Sequence, residues 1–274
     1  MLPQPGPIAP NAYRLPHEQG ILAITVLLVV VVIAVTATAT LCGSALFVVV
    51  MVIMAYFSTR QHHQALIARA QPVNQASAPG LYALTQGMSQ RLGPGPVEIF
   101  VVPSRQLNAY TFGLSLPKVV VVHSGLVQAL DADELRFVIG HELGHVALGH
   151  TWLNSLVGGL AGIPSPGASL AVLHLAFLWW NRACETSADR AGLLACRRPD
   201  KAMSALIKVG LGLAARSPEE LEHIVQQLLR READPGLMLG EALGTHPNVA
   251  RRIGELRRYA ASREYQRLAG GGSG

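Results

Sequence analysis

The chain has 274 residues, of which 50% are hydrophobic and 14% charged, and its mean hydropathy is +0.33. That composition excludes a disordered chain and argues against a purely soluble one. The net charge of +5 rests mainly on arginine, with lysine only at Lys118, Lys201 and Lys208. No basic run is interleaved with aromatics, so nucleic acid is not an expected partner, whereas a basic chain suits an anionic membrane face. The three cysteines, Cys42, Cys184 and Cys196, make no disulfide framework.

Residues 1–20 hold prolines at 3, 5, 7, 10 and 16 and read as a disordered, Pro-rich N-terminus. Residues 21–57 carry no charge at all. One helix over that length would run to about 55 Å, against a hydrocarbon core of about 30 Å. A transmembrane hairpin fits better, with spans near 21–38 and 43–57 and a turn at the small and polar residues Thr38 to Ser44. Arg14 precedes the run and Arg60 and Arg69 follow it, which puts both ends in the cytoplasm under the positive-inside rule. A single long tilted span and a secretory signal peptide are the alternatives; the run is too long for the latter.

From residue 58 to 269 the composition is that of one globular domain. Residues 60–92 read as helix with a break at 72–79. Val97–Val102, Leu107–Phe112 and Val119–His123 are β-rich runs that suggest a small antiparallel sheet. Asp131-Ala-Asp-Glu134 forms a capping-box pattern opening a helix over 132–148. Residues 158–167 read as a loop. Residues 168–180 are too short to span a bilayer comfortably and read as a buried or interfacial helix. Residues 270–274, Gly-rich, form a linker-like tail.

The chemistry concentrates in His141-Glu142-Leu143-Gly144-His145. On a helix, positions i and i+4 share a face, so both imidazoles can point at one ion, and neutral imidazole is a good zinc ligand. Glu142 lies about 100° further round the axis. It is poorly placed as a ligand there but can reach a water on the metal, as a general base does in a zinc hydrolase. A third ligand is needed. The pattern that would supply a His six residues on is broken, because Leu148 and Thr151 stand at its Gly and His positions. His150, about 180° round from His141, reads as a support or surface residue. Glu185 and Asp189 share a helical face in an apolar region, where two carboxylates repel unless a cation or donor lies between them. Glu185 on zinc, with Asp189 accepting the N–H of a ligating His, answers that. A solvated face paired to Arg182 and Arg190 is the alternative. Cys184 reads as a buried core cysteine.

The string from Val119 to His150 resembles the core of the HtpX-like and CAAX prenyl endopeptidase family of membrane zinc metallopeptidases. Asn108-Ala109-Tyr110, the segment Arg182 to Arg190, and Thr245-His246-Pro247 followed by Arg252 and Ile253 resemble further motifs of that family in the same order. The likeness covers about residues 80–257. It implies a gluzincin, in which His141, His145 and Glu185 bind Zn2+ and Glu142 is catalytic. It also makes His246 a candidate donor to the developing oxyanion, although a His-Pro turn that only packs is an equal alternative. Asn108, Ala109 and Tyr110 would lie on an edge strand that takes a substrate backbone as an extra strand.

The expected fold is therefore α+β: a mainly helical zincin-like domain with a small antiparallel sheet, preceded by a transmembrane hairpin. The expected function is a zinc metalloendopeptidase acting on membrane or membrane-proximal polypeptides, anchored in the lipid bilayer of the cell membrane with its domain cytoplasmic. A zinc-binding scaffold without turnover is the alternative, and a protease for lipid-modified C-termini a third reading.

Overall fold

The computed structural model describes residues 7–39, 43–160, 168–212, 214–215, 217–232 and 249–270. The N-terminal stretch is ordered where it is described. A 3-10 turn at Pro10–Ala12 leads to Tyr13, which is fully buried in the main core. Residues 7–20 of the expected unstructured lead-in thus pack on the domain, because Tyr13 finds a core to enter.

Helix α1 (Glu18–Ala39) and helix α2 (Gly43–Ile67) flank residues 40–42, which lie outside the described residues. Among the described residues one helix, Glu18–Thr38, is long and apolar enough to cross a bilayer. Its side chains do not sort into an apolar stripe and a polar face. Leu27 is 62% exposed and Val35 64%, and on α2 Leu46 is 68% exposed. A helix apolar all round needs either a protein core or lipid around it. The far end of α2 continues past Phe57 to the sheet, where the rings of His62 and His63 meet Phe112 edge-on at 5.6 and 5.2 Å.

After β1 (Gln71–Pro72) and α3 (Pro79–Leu92) come β2 (Val97–Val102), β3 (Ala109–Phe112) and β4 (Lys118–His123). The sheet order is β1-β2-β4-β3. β1 is antiparallel to β2 and β3 to β4, but β2 and β4 are parallel, with Val97 opposite Lys118 and Val102 opposite His123. The sheet is therefore mixed, not antiparallel. The chain leaves β2, runs back along β3 and returns through β4 into the gap between them. The reason is in the burial. Val119, Val120, Val121 and Val122 are all fully buried, Val120 and Val122 in the main core and Val119 and Val121 in a second cluster with Phe100 and Phe112. A run apolar on both faces belongs at the centre of a sheet.

Helix α4 (Ser124–Ala129) leads into α5 (Ala132–Ala147). The capping box is present: the Asp131 side chain accepts from the Asp133 and Glu134 N–H groups, and Glu134 accepts from the Asp131 N–H. Helices α6 (His150–Leu160), α7 (Ala168–Cys196), α8 (Pro199–Leu211), α9 (Pro218–Glu232), α10 (Val249–Ala260) and α11 (Arg263–Ala269) follow. Residues 168–180 are the first part of α7, which runs unbroken into the segment carrying Glu185 and Asp189. Leu178 and Trp180 are buried and Trp179 is 46% exposed. The main core lies between α3, β4, α5, α7, α8 and α10.

Helices α5 and α7 pack closely, and small residues make it so. A Cβ on Gly140 would stand 2.5 Å from the Ala195 Cβ, and one on Gly144 2.5 Å from the Ala191 Cβ. Gly192 returns the fit, since a Cβ there would meet the Phe137 carbonyl at 2.7 Å. Backbones that approach this far bring short side chains of α7 within reach of the imidazoles on α5.

Candidate metal centre

His141 and His145, one turn apart on α5, turn their Nε2 atoms toward each other, 3.2 Å apart. Glu185 of α7 faces both, with Oε1 3.3 Å from His145 Nε2 and Oε2 3.6 Å from His141 Nε2. All three side chains are buried, and their ligand-type atoms lie within 4.8 Å of one another.

The outer ring atoms decide which protons are present. His141 Nδ1 is 3.0 Å from Asp189 Oδ1. A carboxylate can only accept, so this nitrogen carries the proton and Nε2 is left with a bare lone pair. His145 Nδ1 is 3.0 Å from His150 Nδ1, and His150 Nε2 is 3.0 Å from Glu18 Oε1. Glu18 takes the Nε2 proton of His150. His150 is almost fully buried and its carboxylate neighbour Glu18 already pairs with Arg14 and Ser187, so the ring keeps the single proton on Nε2 and its Nδ1 accepts. His145 must then donate from Nδ1, which bares its Nε2 as well. With these tautomers two lone pairs and a carboxylate converge at 3.2–3.6 Å; burial disfavours a second proton on His141, but Asp189 and Glu185 outweigh it and raise the ring above the ordinary histidine value when no cation is there. Such a donor set repels itself unless a cation stands at its centre, and two imidazoles with one carboxylate are the ligand types that zinc takes. The residues fit the ion.

Arg252 of α10 completes the surroundings. Its Nε donates to Asp189 Oδ2 at 2.8 Å and Nη2 to Oδ1 at 2.6 Å, while Nη1 lies 3.3 Å from Glu185 Oε2. Burial opposes ionisation of both carboxylates, but the guanidinium holds Glu185 well below the usual carboxylate range and lowers Asp189 too. The guanidinium that reaches both carboxylates is that of Arg252. The Arg190 guanidinium lies over the Tyr259 ring, 4.6 Å from its centroid.

Glu142 is buried beside this centre and lines a cleft of about 440 Å³ together with His141, His145, Glu185 and Arg252. Burial raises its carboxyl above the ordinary glutamate value. Asn108, Ala109 and Tyr110 line the same cleft, and β3 is the outer strand of the sheet. The carbonyl of Asn108 accepts from the His123 N–H at 3.0 Å, which starts the pairing with β4. Leu206, Val209 and Val249 give the cleft an apolar wall. His246 lies outside the described residues.

Sequence reasoning missed three contributors. In the sequence Arg252 stands only within a motif, Glu18 falls in the segment expected to be disordered, and Asn154 carries no pattern. The Asn154 side chain lines the cleft and its Oδ1 is buried without a partner. Glu18 alone has a local signal: an acid three residues before the start of a long apolar run is a costly neighbour for lipid unless it is paired.

The profile of Peptidase family M48 matches residues 83–260. The chain belongs to Peptidase family M48. It is 30% identical over 185 residues to the plastoglobule-localized metallopeptidase 48 of Arabidopsis thaliana, covering 62% of this chain and 54% of that one. It is 28% identical over 253 residues to a protease HtpX homolog of Thermococcus sibiricus, covering 76% and 84%. The crystal structure of S. mikatae Ste24p superposes with a TM-score of 0.49 at 15% identity, over 88% of this chain and 65% of that one. The M48 chain described here is thus a metallopeptidase by family, mostly helical with a small mixed sheet.

Proposed function

We propose that this M48 peptidase is a membrane-anchored zinc endopeptidase that cleaves membrane or membrane-proximal polypeptides. The observation that carries the reading is the convergence of two bare imidazole lone pairs and a carboxylate at one buried point beside Glu142. His141, His145 and Glu185 would hold the ion. A zinc ion held there supplies an acidified water and polarises the scissile carbonyl. Glu142 takes the proton of the attacking water and returns it to the leaving amine; burial raises its carboxyl, which favours holding that proton between the two transfers. The free edge of β3 at Ala109 and Tyr110 receives the substrate backbone as an added strand. The buried Oδ1 of Asn154 offers an acceptor to a substrate N–H. His246 stays a candidate donor to the oxyanion, carried by the resemblance alone.

The apolar surface of α1 and of the first half of α2 supports a bilayer anchor in the form of a hairpin. Trp152, 53% exposed, and Trp179 suit headgroup level, and the flanking arginines favour a cytoplasmic domain.

Purified full-length protein in detergent should cleave casein, and a chelator should abolish the cleavage and added zinc restore it. Glu142→Gln should keep the metal and cut at least 10²-fold more slowly, as loss of a general base does. A Glu142→Gln variant as fast as the parent would remove Glu142 from the mechanism. Stoichiometric zinc with no turnover on any polypeptide would favour the scaffold.

A further inference from the structure

Glu18 and His150 stand outside the four residues that the proposed reaction uses, yet they are among the most buried polar groups of the protein, 1% and 2% exposed. They form a line: Glu18 Oε1, His150 Nε2, His150 Nδ1, His145 Nδ1, with 3.0 Å at each hydrogen bond. The line starts at the first residue of the apolar helix α1 and ends on a proposed metal ligand. Glu18 is itself held on three sides. Arg14 pairs with Oε1, and the Ser187 hydroxyl donates to Oε2. Ser187 in turn accepts the Leu15 N–H at 2.8 Å, and Arg14 Nη2 donates to the Leu148 carbonyl at 2.9 Å. Residues 13–18 are thereby tied to α7 and to the end of α5.

We infer that Glu18 and His150 are positioning residues, which fix His145 as the tautomer with a bare Nε2 and so make its metal affinity depend on the seating of the membrane helix. A His whose outer nitrogen has no acceptor can carry its proton on either side and rotate; the form with Nε2–H does not bind a metal. A carboxylate reached directly does this for His141, through Asp189. For His145 the carboxylate is one imidazole further away and comes from the anchor. Removing such an outer partner commonly costs 10–100-fold in metal affinity.

The inference rests on the zinc site proposed above, and the test separates the two. Zinc affinity of the full-length protein is measured in detergent by competition with a chromophoric chelator, for the parent, Glu185→Ala, Glu18→Ala, His150→Ala and Glu18→Gln. Glu18→Ala and His150→Ala should bind zinc 10–100-fold more weakly. Glu18→Gln should lose less than either, because its amide oxygen still accepts the Nε2 proton of His150. Parent-like affinity in both alanine variants would overturn the inference while leaving the zinc site standing. A parent that binds no zinc would instead overturn the zinc site. If an alanine variant fails to fold, the parent decides alone: long-range 15N–1H spectra of the zinc-loaded chain should show His150 protonated at Nε2 only, and a proton on its Nδ1 would overturn the relay.

Discussion

Two clusters of ligand-type residues lie side by side in this protein. His141, His145 and Glu185 form one; Glu18, His150 and Cys184 form the other, and both bring three candidate atoms within 4.8 Å. By proximity and burial they are equals. They differ in protons. In the second cluster every acceptor already has a donor: Glu18 receives Arg14, Ser187 and His150, and His150 Nδ1 receives His145. Burial raises the Cys184 thiol far above its ordinary range, which disfavours the thiolate that a metal would take. In the first cluster the same inventory leaves two lone pairs and a carboxylate facing one another. Proximity of His, Glu and Cys therefore does not define a metal centre; a deficit of donors does.

The largest way to break this contrast is Glu185→Ala. It should remove most of the zinc from the purified protein, measured by atomic emission, because two neutral imidazoles make a weak site. Full occupancy in that variant would mean that the deficit had been misjudged. Arg252→Met asks how the first cluster survives without its ion. Asp189 and Glu185 would face each other uncompensated in the metal-free protein. The cost should be about 3 kcal/mol, the low end for a broken buried pair, since the Arg252 side chain is 16% exposed. Thermal unfolding of the chelator-treated protein reads this, and zinc should recover part of the loss. An unchanged melting temperature would show that the carboxylates are neutralised in some other way.

Gly144→Ala tests the framework that creates the first cluster. A Cβ 2.5 Å from that of Ala191 must push α5 from α7, costing about 1–3 kcal/mol as an overpacked core does. The same displacement carries Glu185 away from the imidazoles, so zinc affinity should fall together with stability. Loss of stability with unaltered affinity would mean that the site adjusts independently of the helix spacing.

What could be read from the sequence follows the distance over which each interaction acts. The His141 and His145 pair, the helix cap at Asp131 and the shared face of Glu185 and Asp189 are set within a few residues by the helix period, and they are legible. β4 was legible as a strand, and four consecutive buried valines also held the cue that it lies at the sheet centre, which the antiparallel reading overlooked. Arg252 reaches Asp189 across 63 residues and Glu18 reaches His150 across 132. No local pattern selects one arginine among 19 for such a contact; only packing of α10 and α1 against α7 does.

Cys184→Ala carries the smallest expected effect and is the cleanest probe of the second cluster. The parent should hold one zinc per chain, and Cys184→Ala should hold one as well. The substitution exchanges a buried thiol for a methyl in a pocket formed with Ile21, Trp180 and Ala183, so the loss should be about 1 kcal/mol, in the range of small core truncations. Two zinc ions in the parent, falling to one in Cys184→Ala, would reverse the assignment: the thiol would then ionise on metal binding, and Glu18 and His150 would be ligands themselves. That outcome would also reverse the contact with His145, because a metal on His150 Nε2, the atom that faces Glu18, would leave the ring proton on Nδ1, where it donates to His145 Nδ1. The stoichiometry of one cysteine variant thus reports on the tautomer of a histidine on a different helix.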